Sequence, residues 1–283
     1  MTTHVEAILL GVAQDGGLPQ VGCQCVHCVR AHADPAERRL VSCLGLVDHA
    51  SRQFWLVDAT PDLREQVHAL RKLAPAYSLA GIILTHAHVG HYMGLIHFGL
   101  EAWNTRDLLV YASERMASYL GHNGPWSQLV SLENIKICVL EPGLEFQLGS
   151  HLWLTPIEVP HRSEYSDTMA FLVQGPAEKM FYCPDIDTWD AWDQDLRSFV
   201  TACDVALLDG TFYSAGELQG RDMSRIPHHL ATDTARRLAG VDCDVRLIHL
   251  NHSNPLHVPG PERDWLVSHG IGVGAQGDRW SLG

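Results

Sequence analysis

Three histidines lie within six residues of one another in the segment LTHAHVGHY, which spans residues 84–92 and directly follows an apolar run. Imidazole is the commonest metal ligand among side chains, and His86 and His88 can converge on one ion from a tight loop. The end of a buried strand gives such a loop the rigidity that metal geometry requires. His86, His88 and His91 therefore predict one wall of a metal site rather than a histidine-rich surface turn.

Three further candidate ligands stand where other apolar runs end. His161 follows the run ending in EVP, Asp185 follows MFYCP, and His249 ends the run VRLIH. Each has a structural alternative, namely a turn residue for His161, a turn or cap residue for Asp185 and a buried core histidine for His249. The repeated pattern of a strand that ends in a potential ligand favours the metal site, in which Asp185 could bridge two ions.

A second group of metal-binding type lies near the N-terminus, where Cys23, Cys25 and Cys28 stand close together. Closely spaced cysteines in a long chain without an export signal more often bind metal than form disulfides. A redox cysteine group is the alternative, and the neighbouring His27 is one candidate fourth ligand. The other five cysteines are scattered singly, and we expect them in the core.

The elements that must position these residues are short strands with a few helices between them. Strand-like apolar runs alternate with turns from residue 5 to residue 252. Three helices are predicted, one with Leu63, Val67, Leu70 and Leu73 on a single face. The second follows Pro227, buries Leu230, Ala235 and Leu238 and ends at Gly240, and the third is GPERDWLVSHG. This order predicts an α/β fold of two sheets covered by helices, as one domain over residues 1–283.

Composition excludes several functional classes. The chain has 283 residues, a formal net charge of −13 and 18 histidines. Such an acidic surface repels phosphate backbones, so general nucleic-acid binding is not expected. No apolar stretch reaches the roughly 20 residues that span a bilayer, and the N-terminus does not resemble a secretory signal. We expect a cytoplasmic protein with a small-molecule substrate and no membrane association, whose oligomeric state is left open, a homodimer included.

The motif THAHVGH, followed in order by His161, Asp185 and His249, resembles the metallo-β-lactamase fold superfamily. Asp58 in FWLVDATPD matches the early aspartate that orients the histidine loop in that superfamily. The resemblance extends from LLGVAQDGGLPQVGCQC to IHLNHSNP and implies a four-layer αββα sandwich with the metal site at one edge of the sheets.

The opening GVAQDGGLPQVGCQCVHC is similar to two branches of this superfamily, the PqqB-like and the PhnP-like proteins. The PhnP-like proteins hold a structural zinc with a Cys-x-Cys-x-x-Cys cluster and a late histidine. Here the resemblance places that histidine at His252. Three thiolates and one imidazole make the closed tetrahedral site that structural zinc favours, and the alternative fourth ligand remains His27.

Gly90 stands where the superfamily loop usually carries an aspartate. His86, His88, His161 and Asp185 are unaffected, whereas a second ion at His91, His249 and Asp185 loses an acidic ligand. Three outcomes are open: one metal only, replacement of the ligand by Asp15 or His229, or a site adapted to different chemistry. Zinc, manganese and iron are all candidate ions for the histidine site.

The expected function is metal-dependent hydrolysis of a small phosphodiester or related ester. A metal ion lowers the pKa of a bound water from ~15.7 towards about 7, which generates the nucleophile. Asp185 would orient that nucleophile, and His229 or the adjacent His228 would protonate the leaving group. Arg162 could pair with an anionic group of the substrate.

Two alternatives remain. The first is a mononuclear iron oxygenase of cofactor biosynthesis, as the PqqB resemblance implies, although an intact His-x-His motif is more typical of the hydrolases. The second is a metal-binding accessory protein without catalysis. Aromatic residues of the region 100–135, namely Trp103, Tyr111, Tyr119 and Trp126, could line a substrate pocket, although core packing is the expected role for most of them.

Overall fold

The computed structural model describes residues 5–218 and 226–283. Two seven-stranded sheets form its centre. With the strands numbered in chain order, the first sheet contains β1 (Val5–Gly11), β2 (Cys43–Asp48), β3 (Gln53–Val57), β4 (Ser78–Ile83), β5 (Leu108–Ser113), β6 (Ile135–Leu140) and β14 (Arg279–Ser281). The second sheet contains β7 (Phe146–Gln147), β8 (Trp153–Glu158), β9 (Met169–Gln174), β10 (Lys179–Cys183), β11 (Val205–Asp209), β12 (Asp244–Ile248) and β13 (Ile271–Val273).

Each sheet is mixed. The strand order is β14-β1-β2-β3-β4-β5-β6 in the first sheet and β13-β12-β11-β10-β9-β8-β7 in the second. Strands β3 to β6 run parallel to one another, as do β10 to β13. The helices that connect the strands are α1 (Val26–Ala33), α2 (Leu63–Leu73), α3 (Val89–Tyr92), α4 (Glu114–His122), α5 (Trp126–Ser131), α6 (Leu196–Thr201), α7 (Ala231–Leu238) and α8 (Pro261–Ser268).

Three apolar layers hold the sheets and helices together. The middle layer joins the two sheets, with Trp55 and Val57 of β3 on one side and Phe171 and Val173 of β9 on the other. The alternate side chains of β3 pack outward in a second layer that includes residues of α2, α4 and α5. A third layer joins the second sheet to α6, α7 and α8. Strands buried on both faces need apolar side chains throughout, which explains the continuous apolar runs of the sequence. The predicted αββα sandwich is confirmed.

The predicted helices form with small differences. Leu63, Val67 and Leu70 of α2 are buried, but Leu73 is 48% exposed, so its assignment to the buried face was wrong. The helix turns through about 1000° between Leu63 and Leu73, which is not a whole number of turns. Leu73 therefore lies to one side of the buried face of α2. In α7, Ala235 and Leu238 are buried, whereas Leu230 lies at the N-cap and is half-buried. Gly240 adopts a positive φ of 75°, as a helix-ending glycine does.

Among the described residues, no helix combines the length and the apolar character needed to cross a membrane. The arrangement as one domain over residues 1–283 stays a prediction.

Candidate metal centre

Strand ends from both sheets bring the candidate ligands to one place. His86 and His88 follow β4, His161 follows β8, Asp185 follows β10 and His249 follows β12. Strands β10 and β12 both run parallel to β11, so their carboxyl ends point the same way. The ligands after β4 of the other sheet meet theirs at the same edge of the sandwich. His91 lies in the short helix α3, which begins directly after the loop.

The first ligand group consists of His86, His88, His161 and Asp185. Asp185 Oδ2 lies 3.3 Å from His86 Nε2 and 3.2 Å from His161 Nε2, and His161 Nε2 lies 3.1 Å from His88 Nδ1. Four ligands at about 2.1 Å from a tetrahedral ion are separated by about 3.4 Å. The atoms of this group therefore have spacings that suit one metal ion.

The second ligand group consists of Asp15, His91 and His249, with Asp185 between the two groups. Asp15 Oδ1 lies 3.2 Å from His91 Nε2 and 3.7 Å from His249 Nε2. Asp185 Oδ2 lies 3.9 Å from each of these imidazole nitrogens. Asp185 thus faces both groups with one oxygen, as a bridging carboxylate does.

Unpaired polar atoms support a metal at this site. Within the described part of the chain, the buried atoms without a hydrogen-bond partner include His86 Nε2, His91 Nε2, His249 Nε2, Asp15 Oδ1 and Asp185 Oδ1. Buried polar atoms are nearly always hydrogen-bonded, so such a concentration needs an explanation. A cation that accepts their lone pairs supplies one, and the residues present fit a metal ion.

Outer partners fix which nitrogen of each ring faces the site. Asp58 Oδ2 lies 2.7 Å from His91 Nδ1 and Asp187 Oδ1 lies 2.6 Å from His161 Nδ1. Thr85 Oγ1 lies 3.0 Å from His86 Nδ1, and Thr211 Oγ1 lies 2.9 Å from His249 Nδ1. A partner at Nδ1 leaves Nε2 available for a metal.

His88 has the opposite orientation. Its Nε2 lies 3.3 Å from Glu164 Oε2, and its Nδ1 faces His161 and Asp185. His88 therefore presents Nδ1 to the first ligand group, whereas the other four rings present Nε2. Glu164 is the outer partner of this fifth imidazole.

The two residues that anchor the ligand loops have unusual backbones. Asp58 has a φ of 73° and His249 a φ of 60°, both in the left-handed region that non-glycine residues seldom adopt. Asp58 accepts hydrogen bonds from the backbone and hydroxyl of Thr85, which ties it to the histidine loop. Backbone strain of this kind is concentrated at functional sites, where the surrounding structure compensates for it.

Electrostatics keeps the carboxylates charged. Burial would raise the pKa of Asp185, but the neighbouring His161 and His228 hold it well below its usual value. Burial would likewise raise the pKa of Asp15, but His249 and His91 lower it well below the usual range. The reverse holds for His161. Burial would lower its pKa, but Asp185 and Asp187 raise that pKa to about 10. A metal ion would replace these protons.

His228 and His229 occupy different surroundings. His228 Nδ1 lies 2.9 Å from Asp209 Oδ2 and 3.2 Å from Asp185 Oδ1. His229 instead lies beside Thr188, with its Nδ1 3.4 Å from the hydroxyl, and belongs to none of the metal-binding groups of the described residues. Burial would lower the pKa of His228, but Asp209 and Asp185 raise it overall, so this imidazole can hold a proton beside the site.

The cysteine group includes His252, which lies three residues after His249 of the second ligand group. His252 Nδ1 lies 3.4 Å from Cys23 Sγ and 3.5 Å from Cys25 Sγ, and Cys28 completes the set. Sulfur and nitrogen ligands of tetrahedral zinc are separated by about 3.6 Å, so these residues fit structural zinc. His27 is not in the group, and its ring lies 5.7 Å from that of His257.

A cavity of about 410 Å³ next to Asp15 and another of about 370 Å³ next to Glu164 flank the site. The second cavity is lined by Arg115, Tyr119 and Tyr165. Glu164 also lines this cavity and contacts His88. Arg162 lies 3.5 Å from Glu164.

The other three aromatic candidates lie elsewhere. Trp126 is buried against Tyr92, Tyr111 stacks on Phe146, and Trp103 packs beside Phe98 and Arg71.

Several positions that contact the candidate histidines were not identified from the sequence. Asp209 closes the apolar run DVALLD in the same way that Asp185 follows β10, so the pattern of a strand that ends in a ligand could have found it. Asp187, Thr85 and Thr211 carry no such signal. Their role depends on which histidine nitrogen faces them, and this becomes visible only in three dimensions.

Comparison with known proteins gives relatives over almost the full length of the chain. The chain is 29% identical over 299 residues to coenzyme PQQ synthesis protein B of Methylobacterium sp. strain 4-46, covering 94% of this chain and 98% of that protein. It is also 29% identical over 301 residues to the protein of the same name from Azotobacter vinelandii, with 95% and 97% covered.

Solved structures give the same fold. Zinc-bound PqqB from Methylobacterium extorquens superposes with a TM-score of 0.83 at 20% identity, covering 97% of this chain and 99% of that one. A diphosphatase of the PhnP family superposes with a TM-score of 0.71 at 19% identity, with 98% and 97% covered. The family model described as a beta-lactamase superfamily domain matches residues 54–252, which is more than half of the chain. The chain belongs to the metallo-β-lactamase superfamily.

Proposed function

We propose that this chain is a PqqB-like metalloenzyme of cofactor biosynthesis that uses iron to oxidise a small-molecule substrate with dioxygen. The observation that carries the proposal is the first ligand group of three imidazoles and one carboxylate, in a chain that aligns over almost its whole length with PQQ synthesis proteins. Histidines combined with a single carboxylate are a ligand set of iron(II) oxygenases. Iron bound there would supply the redox chemistry with dioxygen.

The residues around the site would control protons and orientation. His228, held by Asp209 and in contact with Asp185, would donate or accept a proton at the edge of the first ligand group. Asp187 and Thr85 would keep His161 and His86 oriented with Nε2 towards the ion. The cavity lined by Arg115, Tyr119 and Tyr165 would admit the substrate, with the arginine available to an anionic group.

Complementation tests this proposal. Methylobacterium cells that lack their own PQQ synthesis protein B are supplied with this chain, and the PQQ that they form is measured. We expect wild-type chain to restore PQQ formation and His86→Ala to abolish it. His68→Ala, which removes an exposed histidine of α2, is the matched control and should restore PQQ as well as wild type does. Folded wild-type chain that restores no PQQ would contradict the proposal.

A second function, hydrolysis of a phosphodiester or diphosphate, is favoured by one observation. Asp185 Oδ2 lies between two ligand groups, and paired ions bridged by a carboxylate act on phosphoryl centres in many hydrolases. The diphosphatase of similar fold belongs to this chemical class.

One assay separates the two functions. The metal-free chain is loaded with zinc, manganese or iron(II), and hydrolysis of bis(p-nitrophenyl) phosphate is followed at 405 nm. Turnover by zinc- or manganese-loaded protein that depends on His86, without complementation, would assign the hydrolase. Metal binding without either activity would assign an accessory protein.

A further inference from the structure

The geometry points to a relocated metal ligand: Asp15, on the loop after β1, supplies to a second divalent cation the carboxylate that the histidine loop lacks at Gly90. The cation would be held by Asp15, His91 and His249, with Asp185 between it and the first ligand group. This inference concerns metal binding alone and stands whether the protein oxidises or hydrolyses its substrate.

The first observation is the position of the Asp15 carboxylate. Its Oδ1 lies 3.2 Å from His91 Nε2 and 3.7 Å from His249 Nε2. These three atoms are buried and lack hydrogen-bond partners within residues 5–218 and 226–283. A carboxylate and two imidazoles that face one small space without bonding one another are the donor set of a transition-metal ion.

The second observation is that Asp15 fills the space beside Gly90. A Cβ built on Gly90 would lie 2.7 Å from Asp15 Cα and 2.8 Å from Asp15 Cγ, and still closer to Oδ1. Real Cβ atoms do not approach other atoms so closely, and one of the obstacles is backbone. Positions 15 and 90 therefore cannot both carry a carboxylate in this conformation. Glycine at 90 is what the close approach of the loop that carries Asp15 requires, because the Cα of Asp15 as well as its side chain occupies the space of a Cβ.

The third observation is that the loop holding Asp15 is fixed to the strand end that carries His249. Gln14 N donates to Leu250 O, and Leu250 N donates to Val12 O. Gly17 N donates to Gln14 O and closes the turn around Asp15. These backbone bonds hold Asp15 and His249 in register, which a metal site requires.

Metal counting tests the inference. The metal-free full-length chain is titrated with Zn²⁺, and bound zinc per chain is measured by mass spectrometry of the dialysed protein, with the binding isotherm recorded calorimetrically. Asp15→Asn should bind one zinc ion per chain fewer than wild type, or bind the last one at least about tenfold more weakly. Glu65→Gln removes an exposed carboxylate from the cavity next to Asp15 and should bind as wild type does.

Substitutions at position 90 test the close packing of the two positions. Gly90→Asp alone should lower the melting temperature, because the new side chain collides with Asp15. The double variant Asp15→Gly, Gly90→Asp should not recover the melting temperature, because the Cα at position 15, which lies 2.7 Å from a Cβ built on residue 90, is a backbone atom that glycine keeps. Unchanged zinc binding by Asp15→Asn would overturn the inference.

Discussion

At the residue scale, each metal-binding imidazole depends on an outer partner. Asp187 Oδ1 lies 2.6 Å from His161 Nδ1, and Asp58 Oδ2 lies 2.7 Å from His91 Nδ1. A charged partner fixes the orientation of the ring and makes the opposite nitrogen a better ligand. His86 and His249 rely on threonine hydroxyls instead, which are weaker partners.

This arrangement predicts the effect of Asp187→Asn. Loss of the negative charge should weaken metal binding to the first ligand group by about 10- to 100-fold, with little change in fold, because Asp187 contacts the ligand and not the ion. Competition with a fluorescent zinc chelator measures the affinity. The control is Asp190→Asn, which removes an exposed carboxylate paired with Arg237 and should leave the affinity unchanged. Equal effects of the two substitutions would contradict a positioning role for Asp187.

Residue types and strand ends were sufficient to predict most of the ligands that the structure brings together. His161, Asp185 and His249 follow apolar runs, and strand ends on the same side of a sheet converge. Asp15 was only one of two candidates for the missing ligand, because it lies four residues beyond the end of β1 and nothing in the sequence shows that it faces Gly90. The choice between His228 and His229 was equally inaccessible, since adjacent side chains differ only in the direction that the local backbone gives them.

At the element scale, a zinc ion in the cysteine group would brace the metal site from the N-terminal side. Cys23 and Cys25 lie just before helix α1, and Cys28 lies in its first turn. His252 lies three residues after the ligand His249. Zinc in this group would link the N-terminal segment to the end of β12. Because structural zinc binding becomes folding free energy, such a brace would also stabilise the second ligand group.

Substitution of a cysteine ligand tests the brace. Cys28→Ser should lower the melting temperature by several degrees, release one zinc ion per chain and increase proteolysis between β1 and β2, because the segment loses its anchor. Differential scanning fluorimetry and limited proteolysis measure these effects. Cys138→Ser, at a half-buried position of β6 outside the group, is the control and should keep its zinc. Full zinc content in Cys28→Ser would contradict the assignment.

Element prediction worked where the apolar pattern was long and failed where it was short. The long strands β1 to β6 and β8 to β12 follow apolar runs that are visible in the sequence. Strands β7, β13 and β14 have two or three residues each, too few to show a period. Helices α1, α4, α5 and α6 were also not predicted. In α1, cysteine and histidine residues carry a metal signal that conceals a weak helical one.

At the scale of the whole molecule, two packed sheets create the edge at which both ligand groups form. The first sheet supplies the histidine loop and Asp15, and the second supplies His161, Asp185 and His249. Neither sheet holds a complete site, so packing of the middle apolar layer is a condition for metal binding. The acidic surface and the absence of nucleic-acid binding remain predictions. The oligomeric state, a homodimer included, is open to measurement by light scattering.

Anomalous X-ray diffraction at the iron and zinc absorption edges tests the central claim most directly, because it locates and identifies each ion in crystals of the purified chain. The account predicts an iron signal at the first ligand group of His86, His88, His161 and Asp185, together with a zinc signal at the group of Cys23, Cys25, Cys28 and His252. A zinc signal at the cysteine group alone, with no metal among the histidines after incubation with iron(II), would contradict it.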